Sequence, residues 1–313
     1  MKQRVFDGME YVYTVYQERS FQKAADKLFI SQPSISASVR RIEERIGSQI
    51  FDRSMKPLGL TECGRQYIHY AEKIMAMERE FSEFVNDWEG LRRGNLVLGG
   101  SSLFSSLILP PMMAAFRKKY PQITLELVEE TTGKLEEMLH QGFVDLVVDF
   151  TIPNAERYCS DVLEEDHVIL AVPKGNSINS RLLSYRIDEE NIGTLTRKAV
   201  PTVPVDLFRD ETFVLMKSGN NTRERAEALC ALGGFSPKVA MEFDQQMTSY
   251  IACCSGAGIT FVSSVLVSRI SPNPGLCYYR LPEPESRRNV QTFWKRDRYV
   301  TRAMEAFLET ARG

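Results

Sequence analysis

Between residues 20 and 53 the chain carries two helix signatures separated by only a few residues, which commits it to a tight helical pair near its N-terminus. Ser20 can cap exposed amides, and Phe21, Ala24, Ala25 and Leu28 follow at the spacing of one buried face. The paired alanines let another helix approach closely. A second start signal stands at Ser31, because Pro33 has no amide to leave unsatisfied and its fixed backbone angle suits a first turn; Gly47 is the matching stop. Ile35, Val39, Ile42 and Ile46 recur at helical steps and form the inward face. Gln32, Ser34, Ser36, Arg40 and Arg41 lie elsewhere on the helix. Gln can bond bidentately to adenine, Ser tolerates several bases, and Arg reaches guanine or phosphate, so the polar N-terminal half has the composition of a groove reader. The plainer reading is a helical hairpin whose polar residues face solvent.

The surrounding residues are more specific. Ser-Phe-x-x-Ala-Ala-x-x-Leu from Ser20, Ser-Gln-Pro-Ser-x-Ser from Ser31, Arg-Arg-Ile-Glu-x-x-Ile-Gly from Arg40, Phe51-Asp52-Arg53 and Leu60-Thr61-x-x-Gly64 closely resemble the N-terminal winged helix-turn-helix of the LysR-type transcriptional regulators. The resemblance implies a DNA-contacting set of Ser31, Gln32, Pro33, Ser34, Ser36, Arg40 and Arg53. Within it, Gln32, Pro33 and Ser36 sit where the family touches base edges and adjoining backbone, and Arg53 lies near the wing that contacts phosphate. Ala37 is a departure, since many members carry a basic residue there. Charge agrees with a DNA-facing head: up to residue 66, eleven Lys and Arg against eight Asp and Glu leave +3, while the whole chain is at −2. Affinity for DNA follows local positive charge, so a mildly acidic chain is no obstacle.

Tyr67, Tyr70, Ile74, Met77, Phe81, Phe84, Trp88 and Leu91 then follow one another by alternating steps of three and four, a heptad seam. A helix of roughly 30 residues is about 45 Å long, too long to pack solely against a small head. Glu72, Lys73, Glu78, Arg79, Glu80, Glu83 and Asp87 occupy its other faces. Dimerisation through residues 67–91 is the expectation, a long core helix in a monomer the alternative. The seam is also similar to the linker helix that pairs two subunits in the LysR family. Two reading heads on one dimer would read two half-sites together.

From residue 94 short apolar runs alternate with amphipathic segments, the texture of a parallel sheet flanked by helices. Strands are expected over Leu96 to Gly99, Ile123 to Val128, Asp145 to Asp149, Val168 to Val172, Phe213 to Met216, Lys238 to Met241 and Ile259 to Val262. Helices are expected over Leu107 to Lys119 and Lys134 to Gln141. Residues 174 to 210 carry no pattern that places them. Gly94-Asn-Leu96-x-Leu98-Gly99, Phe116-x-x-x-Tyr120-Pro121, Leu135-x-x-x-Leu139-x-x-Gly142-x-x-Asp145-Leu146 and Gly256-x-Gly258-Ile259 resemble, more loosely, the family's effector-binding region, built like a periplasmic solute-binding protein. The fold expected is therefore α/β: an N-terminal winged helix-turn-helix (1–64), a long linker helix (65–93), then a two-subdomain periplasmic-binding-protein-like α/β effector domain (94–313). Its first subdomain would take 94–161 and 268–313, with Tyr278 to Leu281 and Val290 to Lys295 as closing strands, and its second 162–267.

A solute would bind between the subdomains, where strand ends and helix starts present free amides. Ser101 and Ser102 follow the first strand. By family position Ser102, Thr132, Asp149, Phe150, Thr151, Ser218, Asn220 and Asn221 line the cleft, with Gln245 and Gln246 opening a later helix. Read as residues alone, Ser102, Thr132 and Thr222 are equally plausible caps, and Gly219-Asn220-Asn221 a turn. A carboxylate such as Asp149 in a small cleft repels acids and welcomes amines or hydroxyls unless an Arg neutralises it.

No catalytic residue, cofactor or metal site is expected. His69, His140 and His167 are far apart and form no metal-type or nucleophile–base pairing. The glycine pairs lack the spacing of a dinucleotide or phosphate loop. Six cysteines (Cys63, Cys159, Cys230, Cys253, Cys254 and Cys277) show no ligand spacing and read as free thiols; the vicinal Cys253 and Cys254 read as packing residues before oxidant sensors. Arg287, Arg288, Lys295, Arg296, Arg298 and Arg302 read as a solvated face. With no signal peptide and no run near the ~20 apolar residues that span a bilayer, a cytoplasmic protein with no membrane partner is expected. The partners implied are double-stranded DNA, a small-molecule effector, further copies of the chain as a dimer or tetramer, and RNA polymerase. The rival class is a solute receptor or enzyme whose N-terminal helices serve only assembly.

Overall fold

The first helices are fixed by their ends. α1 spans Met9–Glu18, α2 Phe21–Lys27 and α3 Gln32–Ile46. The Ser20 hydroxyl accepts from the Lys23 amide at 3.4 Å and that of Ser31 from the Ser34 amide at 3.3 Å, replacing partners that a first helical turn lacks. Gly47 closes α3 at φ 76°, a backbone angle that other residues rarely adopt. The computed structural model describes residues 4–88, 94–152, 154–194 and 200–312, in two units, Met1–Glu83 and Phe84–Gly313.

In the first unit Val12 and Val15 of α1, Ala24 and Ala25 of α2, and Ile35 and Val39 of α3 are fully buried in one core. Each aliphatic side chain so buried contributes roughly 1.5–3 kcal/mol, and the alanines let the helices close on each other. A two-stranded wing follows, β1 (Phe51–Asp52) antiparallel to β2 (Gly59–Leu60). Thr61 then caps α4 (Glu62–Trp88), its Oγ1 accepting from the Gly64 amide at 2.9 Å. Glycine is required at 64 because a Cβ there would run into the Ile50 carbonyl. Along α4 the heptad pattern divides. Tyr67, with Ile68 and Ala71, is buried in the head core and so is not a seam residue, whereas Tyr70, Met77 and Phe81 are exposed by 53%, 68% and 67%. Leu91 and the side chain of Trp88 lie outside the described residues.

In the second unit β3 (Gly94–Gly100) pairs in parallel with β4 (Ile123–Glu129) and with β5 (Leu146–Asp149). α5 (Leu109–Lys119) and α6 (Thr132–Gln141) connect them. Where the sequence suggests a helix beginning at Leu107, a π-helical turn over Phe104–Ile108 precedes α5. Pro110 and Pro111 have no amide to donate back into that turn, which leaves it free to widen.

β6 (Tyr158–Pro173) is the architectural centre. Its first part pairs with β11 (Arg287–Lys295), which continues antiparallel onto β5. Its second part pairs with β9 (Thr260–Ser263) and β10 (Leu276–Arg280). Between β6 and β9 come β7 (Thr212–Met216), α7 (Asn221–Leu232), β8 (Lys238–Phe243) and α8 (Gln246–Cys254); β7 and β8 pair in parallel, and Phe213 bridges to Ile259. α9 (Ser264–Ile270) and α10 (Arg302–Arg312) complete the unit.

Period-two alternation buries both faces. Val168, Leu170 and Val172 enter one core and Ile169 and Ala171 another, as Leu146 and Val148 oppose Val147 on β5.

Three expectations are corrected. The sheet is mixed rather than parallel, because β6 and β11 run against their neighbours. β6 begins at Tyr158, ten residues before the expected Val168, since its Tyr158–His167 half is only partly buried and lacks the apolar run that marks Val168 to Val172. β10 is zipped to Ile169–Pro173 and so belongs beside the second half of β6, which moves the chain's return to the first sheet from residue 268 to β11. The unpatterned stretch after Lys174 forms short 3₁₀ turns, Ser177–Arg181, Leu183–Tyr185, Glu189–Thr194 and Val205–Phe208, that drop Ile178, Leu182, Val205 and Phe208 singly into a core.

Candidate functional site

On α3 the buried positions are Ile35, Val39, Ile42 and Glu43, and the opposite flank stands in solvent. Gln32, Pro33, Ser34 and Arg40 are exposed, Ser36 is half-buried, and Ala37 leaves a flat place between them. The polar groups satisfy one another locally: Gln32 Nε2 donates to Ser36 Oγ at 3.1 Å, the hydroxyls of Ser31 and Ser34 lie 2.7 Å apart, and Arg40 Nε donates to Glu44 at 3.1 Å. Such exposed pairs are worth well under about 1 kcal/mol and exchange readily for a ligand. Arg53, half-exposed, stands at the start of the wing with its guanidinium 5.2 Å from the Phe21 ring centroid.

One group in the head carries no sequence signal. Glu43 is buried, and its Oε1 accepts from the amides of Ile50 and Phe51 at 2.8 and 3.3 Å, while Oε2 lies 3.5 Å from Arg53. A carboxylate that replaces water for the first wing amides fixes the angle between α3 and the wing.

In the second unit a cavity of about 570 Å³ opens between the strand ends and helix starts on either side of β6 and β11. Ser101 and Ser102 reach it from the end of β3, Thr132 from the first turn of α6, and Asp149, Phe150 and Thr151 from the end of β5. Ser218, Asn220 and Asn221 face them from the β7–α7 connection, with Gln245 ahead of α8. All ten residues singled out for the cleft thus line one cavity. Asn220, which the sequence suggested only as part of a turn, also caps α7, its side-chain oxygen accepting from the Thr222 amide at 2.9 Å.

Asp149 is 4% exposed. Burial holds its carboxyl above the usual carboxylate range, against the Thr132 hydroxyl at 2.8 Å, the Phe150 and Thr151 amides at 2.6 and 3.4 Å, and the charge of Arg288.

Arg288 is the correction with most consequence. It is not on a solvated face: at 5% exposure its guanidinium lies 3.4 Å from the Phe150 ring centroid, Nε donates to Asp166 at 2.8 Å, and Nη1 donates to Asn221 and Thr222 at 2.9 and 3.0 Å. Asp166 accepts in turn from Ser263, Ser264 and the Val265 amide. Arg298 is buried too, paired with Asp145 at 2.5 Å.

Residues 6–65 match the family model described as bacterial regulatory helix-turn-helix protein, lysR family, and residues 89–313 match the LysR substrate binding domain. The chain belongs to the LysR family of transcriptional regulators. Along its whole length this LysR-type regulator is 31% identical to an uncharacterized HTH-type transcriptional regulator, YcgK, of Bacillus subtilis (strain 168), over 97% of this chain and 93% of that one. The same fold is seen in full-length CbnR complexed with its target DNA, at TM-score 0.68 and 17% identity over 98% of both chains. It is seen again in a full-length OxyR variant from Pseudomonas aeruginosa, at TM-score 0.70 and 20% identity over 99% and 95%. The protein is a ligand-responsive DNA-binding regulator, of a family whose members are generally not enzymes.

The remaining candidates in this LysR-type chain do not converge. His167 is buried with Nε2 3.0 Å from Glu165, in a strand far in sequence from His69 and His140. Cys253 is buried, donating to the Ala171 carbonyl at 3.4 Å, and burial pushes its thiol up to about 12, so it stays protonated and unreactive. Among the described residues no helix is long and apolar enough to cross a membrane. Arg288 did have a signal: it alternates with Val290 and Thr292, both buried, on the inward face of β11.

Proposed function

We propose that the protein binds a partly palindromic operator as a dimer or a tetramer and alters that binding when a small effector occupies the cleft of its C-terminal unit. The outward polar flank of α3 carries this reading. Gln32, Ser34 and Ser36 are free to leave their local partners for base edges, while Arg40 and Arg53 are placed for backbone phosphates. Dimerisation is supported by Tyr70, Met77 and Phe81, large apolar side chains exposed along one face of α4, which a second copy of the helix would cover. Two heads would then read two half-sites, with RNA polymerase as a further partner and the cytoplasm as the place of action.

The effector acts through the cleft walls. Ser102, Thr132 and Phe150 stand on one side of the cavity and Ser218, Asn221 and Gln245 on the other, so a solute touching both favours one closure. It shifts the balance only by its differential affinity for the two arrangements.

The test joins the two ends of the reading. A metabolite that raises the melting temperature of the full chain is measured for its effect on operator affinity in the parent and in the Ser102→Ala/Thr132→Ala variant. The variant is expected to retain DNA binding, steeply salt-dependent, and to lose the response. A response retained in full by the variant shows that the effector binds elsewhere.

A further inference from the structure

The cavity is lopsided in charge. Glu129, Glu130, Asp149, Glu224 and Asp244 line it, and Lys217 is the one cation among its lining residues. Lys217 is already committed, its Nζ 2.7 Å from Asp244. Glu129, Glu130 and Glu224 are exposed at the mouth, and none of them joins an ion pair among the described residues. The Arg288 guanidinium bears on Asp149 from behind Phe150 but is not itself among the lining residues, being paired with Asp166 through side chains that are 1% and 0% exposed.

The interior holds acceptors as well. Gln246 lines the cavity at 7% exposure; its Nε2 donates to Thr222 at 2.9 Å, and its Oε1 has no hydrogen-bond partner. A buried acceptor left open is costly and calls for a donor. At the opposite wall the Asp149 carboxylate accepts hydrogen bonds from a hydroxyl and two amides.

We infer that the cleft takes a small solute bearing an ammonium or guanidinium group, drawn in by the acidic mouth and donating to the acceptors within. This rests on the cleft being the effector site. The starts of α6 and α8 open on the same space with no side-chain cap bond from Thr131 or Gln245, so their amides can receive an acceptor on the ligand's other end. An ω-amino acid or a basic amino acid meets both requirements. A dicarboxylate does not, since it carries like charge into a mouth that repels it.

The experiment uses the full chain and four probes of matched length, 1,4-diaminobutane, 4-aminobutanoate, 1,4-butanediol and succinate, with arginine as a longer cation, each titrated by calorimetry and thermal shift at low salt. Arginine or one of the amines is expected to bind and raise Tm in a salt-sensitive manner, while butanediol and succinate do not. The Glu129→Gln/Glu130→Gln/Glu224→Gln variant is expected to bind that cation about tenfold more weakly. Binding of succinate in preference, binding by none of the cations, or unchanged affinity in the triple variant overturns the inference. A succinate complex that still alters operator binding would overturn the ligand class and leave the effector site standing. A cation bound with no effect on operator affinity would support the ligand class and count against the regulatory reading.

Discussion

On α3 the polar side chains stand in water and bond to neighbours within one helical turn, as Gln32 does to Ser36. Behind the cleft wall they are joined through buried contacts between segments 24 to 122 residues apart, Gln246 with Thr222, Thr222 with Arg288, Arg288 with Asp166. The contrast follows from what each surface meets. A DNA-reading helix must exchange its partners for phosphates and bases at little cost, so its own bonds are weak and exposed. A cleft that reports occupancy has to keep its walls in register, so its polar groups are held where losing one leaves another unsatisfied.

Removing a group should therefore cost most in the buried network behind the cleft wall. Arg288→Ala strands the Asp166 carboxylate in the interior and is expected to destabilise the C-terminal unit by about 3–5 kcal/mol, read from that unit's denaturation transition. Arg288→Lys should recover only part, because one ammonium cannot reach Asp166, Asn221 and Thr222 together. A loss below about 1 kcal/mol for the alanine variant would break the contrast, since that is the size of an exposed pair.

Within the head, Glu43→Ala leaves the Ile50 and Phe51 amides without their acceptor and should cost about 1–3 kcal/mol of head stability. It should also loosen the wing, visible as faster amide exchange at those two residues. Gln32→Ala should leave stability unchanged and flatten base preference at one position by about 1–3 kcal/mol, whereas Arg40→Ala should weaken all sequences alike and lower the salt slope by about 1. Binding to a set of operator variants at several salt concentrations separates the two.

The smallest effect concerns pH. Burial raises the Asp149 carboxyl above its ordinary 3.8, so the folded state keeps a proton that the unfolded chain has released. That contribution is present in full below the ordinary value and is lost as pH rises through the raised folded one. Asp149→Asn cannot ionise, and its Tm should gain on the parent's from pH ~4 upward. Parallel Tm curves would mean that the folded chain ionises Asp149 without cost.

How much of this was legible in the sequence depended on the range of the interactions. Ser20, Ser31, Pro33 and Gly47 act on residues a few places away, so the head's helices could be read from spacing. The cleft residues at strand ends came from family position, and the structure gathers them round one cavity. Glu43 looks like any solvent-facing acid, because its partners are the Ile50 and Phe51 amides beyond the end of α3. Arg288 meets Asp166 only through the pairing of β6 with β11, a partner 122 residues away. Tyr67 fits a heptad by spacing but is taken by the head core, a choice that tertiary packing makes.

The unbroken run of β6 has a practical consequence for exchanging ligand preference between related regulators. A chimera cut at residues 162 and 267 would splice a donor's half-ribbon onto the recipient's, and would leave the recipient's β10 to zip against foreign residues 169–173. A graft that transfers cleanly has to carry the whole ribbon from Tyr158 and extend through Arg280, so the unit of inheritance for specificity is wider than the lobe it serves.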